Sequence, residues 1–273
     1  MHELSSTFML GVLTGIEKET ADTNYDIIIT HSAESGAKEI ANANNLFHKR
    51  VDGLIASLAF DTPNLAHFDQ FIDKNIPVIF FDRVEENQKG TKIIIDNYKA
   101  GYDITRHLVG EGCKRIAHIT GSLTRNVYNQ RFKGYVDALK DNGIEYNEAL
   151  VQITSFDQSK CYAAANALIN MKPLPDGLFV TSDLGAALCM QKIKEAGLSI
   201  PKDIAVAGFN NDLISTIIEP NLTTVNYSGF DMGRKAAQML INHLNDEFNI
   251  ATTDTIVMHS DLIVRASTMR VHV

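Results

Sequence analysis

"DGLFVTSDLGAALCMQKIKEAGLSIPKDIAVAGFNND", residues Asp176–Asp212, decides how this chain folds. A short apolar run, "GLFV", leads into a helix pattern, then Gly197 and a turn at Pro201, then a second run, "IAVAGF". Both runs are apolar on either face, which is the mark of strands in a parallel sheet covered by helices. In open sheets of that kind ligands sit beyond the carboxyl ends of the strands. Ser182, Asp183 and Asn210 close these two runs and are therefore candidate ligand groups. A turn or helix-cap reading competes for each, since Ser, Asn and Asp also serve those purposes.

The same alternation extends along the chain in both directions. Upstream, "YDIIIT", "DGLIASLA", "IPVIFFD", "KIIID" and "KRIAHITG" read as strands. Between them lie helix patterns carrying Ile40, Ala43 and Phe47, then Phe68 and Ile72, then Ala100, Ile104 and Leu108. Downstream, Met232, Ala236, Met239 and Leu240 mark a helix, and "TIVMHSDLIVR" is strand-like. Two series of alternating elements predict an α/β fold of two Rossmann-like lobes with parallel sheets. No linker rich in Pro, Gly or Ser separates them, so the crossings are expected to be short, as suits a hinge. The front end breaks the pattern: "SSTFMLGVLTGIEKE" predicts a helix capped by Ser5 or Ser6, with Phe8, Val12 and Ile16 inward, and no strand before it. A first central strand is expected to be missing.

Composition narrows the function. A hydrophobic content of 45% with 21% charged residues fits a globular chain, and no apolar run reaches membrane-spanning length. Cys113, Cys161 and Cys189 are odd in number and far apart, which favours buried thiols in a reducing compartment. The net charge of -8, with no long Lys/Arg block, disfavours extensive phosphate binding by this chain. The histidines form no metal-ligand pattern, and no phosphate loop, dinucleotide fingerprint or nucleophile elbow occurs. The expectation is a binding protein with no catalytic residues, no metal and no cofactor. Its candidate groups are the polar residues that close predicted strands: Ser32, Asp82 and Arg83 in the first lobe, and Gly121, Ser182, Asp183 and Asn210 in the second.

The segments "RVDGLIASLA", "IPVIFFDR", "IIIDNYKAGYDITRHLVGEGCKRIAHITG", "QRFKGYVDAL", "EPNLTTVNY", "MGRKAAQML" and "DLIVRAST", taken with Asp176–Asn211, resemble the lac repressor (LacI/GalR) family of bacterial transcription regulators. The resemblance runs from about Ser5 to Thr268. It implies a core like that of periplasmic sugar-binding proteins, without the helix-turn-helix domain, its lobes joined by three crossings near Asp96–Asn97, Asn226–Ser228 and Phe248–Thr253. Lobe boundaries of 1–96 with 227–250, and 97–226 with 251–273, follow. The family's ligand positions fall on Ser6, Phe8, Asp82, Arg83, Arg131 and Phe156, with Arg131 gripping and Phe156 stacking; for Arg131 a surface salt bridge is the competing reading. Where the family reads Asn-Asp this chain has Ser182-Asp183, and where it reads Gly-Phe/Tyr-Asp this chain has "GFNN". Asn210 is expected to face the ligand, and Asn211 and Asp212 to shape the turn and cap a short helix. The resemblance further implies a cytoplasmic homodimer that binds a sugar-like effector between its lobes and reaches operator DNA only through the helix-turn-helix domain. A secreted periplasmic-type sugar-binding protein is the alternative.

Overall fold

The structure, a computed structural model, describes residues 7–85, 88–247 and 255–270. In chain order its elements are α1 (Thr7–Thr20), α2 (Gly36–His48), β1 (Leu54–Ala56), α3 (Ala66–Ile72), β2 (Val78–Phe81), β3 (Thr91–Ile95), α4 (Asn97–Gly110), β4 (Ile116–Thr120), α5 (Asn126–Asp141) and β5 (Val151–Ile153). There follow α6 (Gln158–Ile169), β6 (Gly177–Val180), α7 (Asp183–Glu195), β7 (Ala205–Ala207), α8 (Ile214–Ile217), β8 (Thr224–Asn226), α9 (Gly229–Leu244), β9 (Thr255–Met258) and β10 (Asp261–Ile263). The chain divides into two compact units, residues 1–95 with 228–259, and residues 96–227 with 260–273.

The first unit holds a parallel sheet in the order β1-β2-β3-β9. Its central strand β2 is buried along its whole length, as its unbroken run of Val, Ile and Phe requires. Helix α1 forms as the spacing of Phe8, Val12 and Ile16 predicts, and all three are buried. Two expectations fail in this unit. Tyr25–Thr30 forms no strand, and Ile27, Ile28 and Ile29 are exposed, because no described strand lies beside that segment to pair with it. In α2 the buried face is Glu39, Ala43 and Leu46, with Ile40 and Phe47 at its margins.

The second unit holds the parallel sheet β5-β4-β6-β7 and an antiparallel pair, β8 with β10. Strands β4, β6 and β7 are buried throughout. The run "TIVMHSDLIVR" is therefore two strands: β9 continues the first unit's sheet beside β3, and β10 pairs with β8. This moves residues 255–259 into the first unit, against the boundary expected after residue 250; residues 248–254, where the third crossing was expected, lie outside those described.

Polar residues immediately before the helices start them. Ser35, Asp96, Asp157, Ser182 and Ser228 each accept a hydrogen bond from a first-turn amide of α2, α4, α6, α7 and α9. In the second unit α4 and α5 lie almost backbone to backbone: a Cβ on Gly134 would stand 2.2 Å from the Tyr98 carbonyl oxygen, and one on Gly101 2.3 Å from that of Arg131. That approach fixes where α5 carries Arg131.

Candidate functional site

Arg131, one and a half turns into α5, is only 3% exposed. Its guanidinium carbon lies 3.6 Å from the centre of the Phe209 ring and 5.9 Å from those of Tyr128 and Tyr227. Its Nε donates to Asn97 Oδ1 at 2.8 Å. Its terminal nitrogens meet no protein acceptor among the described residues, and no carboxylate pairs with it. The surface salt bridge is thereby excluded. A buried cation without a counter-charge is costly, and the aromatic rings offset only part of that cost. The four N–H donors of two terminal nitrogens, held in a fixed fork, remain for something outside the protein.

Two further residues stand on this edge of the second unit with unusual backbones. Phe156, half-buried after β5, has φ 60, and its ring lies against α7, where a Cβ on Gly185 would come within 2.9 Å of Phe156 Cδ1. A bulky residue in the left-handed region is strained by about 1 kcal/mol or more; here that strain accompanies a ring 6.1 Å from Tyr128. Asn210 has φ 114 and holds its neighbours loosely: Nδ2 reaches Asp212 Oδ2 and Tyr227 Oη reaches its Oδ1, each at 3.4 Å. Asn211, by contrast, is fixed, accepting from Arg265 Nη2 at 2.7 Å and donating to Asn226 Oδ1 at 3.1 Å. Asp212 does not cap α8; its amide donates to Asp183.

For Ser182 and Asp183 the competing reading wins. Ser182 caps α7 through Gly185 N. Asp183 is 0% exposed, and its two oxygens accept from Thr224 Oγ1 at 2.7 Å and Asp212 N at 2.8 Å, tying the ends of β6, β7 and β8 together. Burial pushes its carboxyl up to about 7 despite those hydrogen bonds, and burial raises Asp212 beside it as well. A carboxyl whose folded pKa is raised binds more protons folded than unfolded across the window from about 4 to about 7. Its stabilising contribution is complete below that window and is lost as pH rises through 7. The second unit is therefore expected to lose on the order of 2 kcal/mol between pH 5 and pH 8, and Asp183→Asn to flatten the profile. Urea melts across that range check this; a parent profile already flat would contradict it.

The first unit's candidates fare unevenly. Ser6 lies outside the described residues. Phe8 is buried against α9, its carbonyl oxygen 2.3 Å from where a Cβ on Gly229 would stand, so it packs helices together. Arg83 is buried with its guanidinium 4.1 Å from the centre of the Phe60 ring, and Nη1 donates to both Glu34 oxygens at 2.8 and 2.9 Å. Its charge is spent inside the unit on a partner that sequence reading missed. Ser32 is buried in the segment before α2, and Asp82 is buried at the end of β2 with φ 57. Glu39 was also missed: it accepts from Ala59 N, Thr62 Oγ1 and His67 Nε2 at 2.7–3.0 Å. The signal was present, for Glu39 shares a helical face with Ala43 and Leu46.

Among the described residues no group of three His, Cys, Asp or Glu could hold a metal ion. No described helix is long and apolar enough to cross a membrane.

Residues 105–268 match the family model of the periplasmic binding protein-like domain. Catabolite control protein A of Priestia megaterium is 27% identical over 248 residues, which are 90% of this chain and 74% of that protein. A transcriptional regulator CelR–cellobiose complex matches with TM-score 0.85 and 28% identity over 96% of this chain and 80% of that one. A periplasmic binding protein/LacI transcriptional regulator from Alkaliphilus metalliredigens QYMF, complexed with D-xylulofuranose, matches with TM-score 0.80 and 26% identity over 98% of this chain and 97% of that one.

Proposed function

This chain belongs to the LacI family of transcription regulators as an effector-binding, periplasmic binding protein-like core, and we propose that its effector is a sugar or sugar derivative gripped by Arg131. The observation that carries this reading is the Arg131 fork, buried among three aromatic rings with its terminal nitrogens unpaired. Such a fork takes two vicinal hydroxyls or a carboxylate with two parallel hydrogen bonds. Phe156 supplies a flat apolar face to a ring, and the amide of Asn210 supplies one donor and one acceptor to hydroxyls. Sugars in two related structures support the ligand class.

The effector regulates only through a difference in its affinity for two arrangements of the protein. The acidic balance of the chain leaves operator contact to other residues of a complete regulator, and two-fold operators call for a homodimer. Three buried unpaired thiols suit the cytoplasm. A thermal-shift screen over neutral sugars, sugar acids and purines tests the ligand class. One group of sugars or sugar acids is expected to raise the melting temperature with a saturable dependence. A response confined to purines, or turnover of any compound, would contradict the proposal.

A further inference from the structure

His118, at the middle of β4, is 0% exposed, and its ring lies 4.8 Å from that of Tyr135 and 4.5 Å from that of Phe179. Its Nδ1 stands 3.1 Å from the Phe179 carbonyl oxygen. A carbonyl can only accept, so Nδ1 carries the proton and Nε2 is left as a lone-pair acceptor. Burial pushes the imidazole down to about 3, so it stays neutral and its tautomer stays fixed. Nε2 is itself buried and meets no donor among the described residues.

The next residue on the same face repeats the pattern. Ala117 and Ile119 belong to the core that α6 and α7 cover, so His118 and Thr120 turn to the α5 face. Thr120 is 0% exposed, and its Oγ1 also has no partner among the described residues. Arg131 belongs to this layer. Phe179, stacked near His118, lies 6.5 Å from Phe209, and the Arg131 guanidinium rests on the Phe209 ring. Its charge reaches His118, where it adds to the effect of burial. One face of the sheet thus carries an acceptor nitrogen, a hydroxyl and a fork of donors.

That set is selective. A carboxylate satisfies the fork but brings a lone pair to Nε2 and has no proton to offer it. An ammonium meets the charge of Arg131. A hydroxyl does both tasks through one oxygen, accepting from the fork and donating to Nε2. Resting on the sugar reading above, we infer that His118 is a specificity-determining residue of this site. Its Nε2, with Thr120 Oγ1 next along the strand, takes one effector hydroxyl beneath Arg131, and the effector is a neutral sugar rather than a sugar acid.

The test titrates D-glucose, D-ribose, D-xylose and cellobiose into the intact chain, each beside the aldonic acid obtained by oxidising it. A neutral sugar is expected to bind tighter than its acid by about ten-fold or more. Nuclear magnetic resonance of ¹⁵N-histidine-labelled protein reports the contact itself, with His118 assigned by its loss in His118→Asn. The Nε2 signal is expected to move upfield and to saturate with the sugar. His118→Asn keeps a donor for Phe179 and lacks the acceptor, whereas His118→Gln restores an acceptor near the place of Nε2. One monodeoxy form of the sugar is expected to bind the parent and His118→Gln about ten-fold more weakly than the sugar does, and His118→Asn no more weakly. An acid that binds as well as its sugar, or an Nε2 signal unmoved at saturation, would overturn this inference and leave the sugar reading standing. A panel in which neither class binds would remove both.

Discussion

Arg131→Ala is expected to weaken effector binding by about ten-fold or more while the second unit stays folded. A charge-assisted donor pair removed from a buried site leaves the ligand's hydroxyls or carboxylate unsatisfied, at about 1 to 3 kcal/mol, and each 1.4 kcal/mol is roughly a factor of ten. Folding survives because the substitution has offsetting effects. It removes a desolvated cation that lacks a counter-charge, and it also removes the stacking on Phe209 and the bond to Asn97. Phe156→Ala is expected to cost less than Arg131→Ala, since a lost ring contact removes area and dispersion but leaves no polar group stranded. Arg131→Lys keeps the charge and loses the fork, so it should fall between parent and Arg131→Ala. Calorimetric titration of the three variants orders them; parental affinity in Arg131→Ala would remove Arg131 from the site.

The second large effect is on stability. Gly134→Val is expected to destabilise the second unit by about 3 kcal/mol or more. A Cβ there would stand 2.2 Å from the Tyr98 carbonyl oxygen and 2.6 Å from Tyr102 N. These are backbone atoms of a helix and cannot swing aside, so α4 and α5 must separate, and Arg131 moves with α5. Gly110, at the end of α4, has open space where a Cβ would be. Gly110→Ala should therefore leave stability nearly unchanged. Urea denaturation of both variants tests the contrast, and a Gly134→Val protein as stable as the parent would refute the packing argument.

Much of the fold was legible because a buried parallel strand writes itself as an unbroken apolar run. "VIFF", "IAHIT", "GLFV" and "AVA" all lie inside predicted strands and are buried throughout. Tyr25–Thr30 has the same composition and is not a strand, because propensity belongs to the segment whereas pairing belongs to its neighbours. The split of residues 255–265 into two strands of different units was hidden for the same reason: the partners β3 and β8 are far away in sequence. Resemblance singled out Arg131 as a candidate, but its setting could not be read. Tyr128, Phe209 and Tyr227 come from three distant segments and converge only when the sheet has formed. Ser182 and Asp183 show the reverse error. Their place at a strand end suits a ligand and a helix cap equally, and only the hydrogen bonds of Gly185, Thr224 and Asp212 decide between them.

The central claim is that the unpaired nitrogens of Arg131 hold the effector, and the arginine side chains report it directly by nuclear magnetic resonance with ¹⁵N-labelled arginine. Arg131→Lys assigns the Arg131 signals by their disappearance. On titration with the sugar or sugar acid found by screening, the Arg131 Nη resonances are expected to shift, saturate with the calorimetric affinity and exchange more slowly with water, while those of Arg83, already held by Glu34, stay in place. Saturable binding that leaves the Arg131 resonances unmoved would contradict the account.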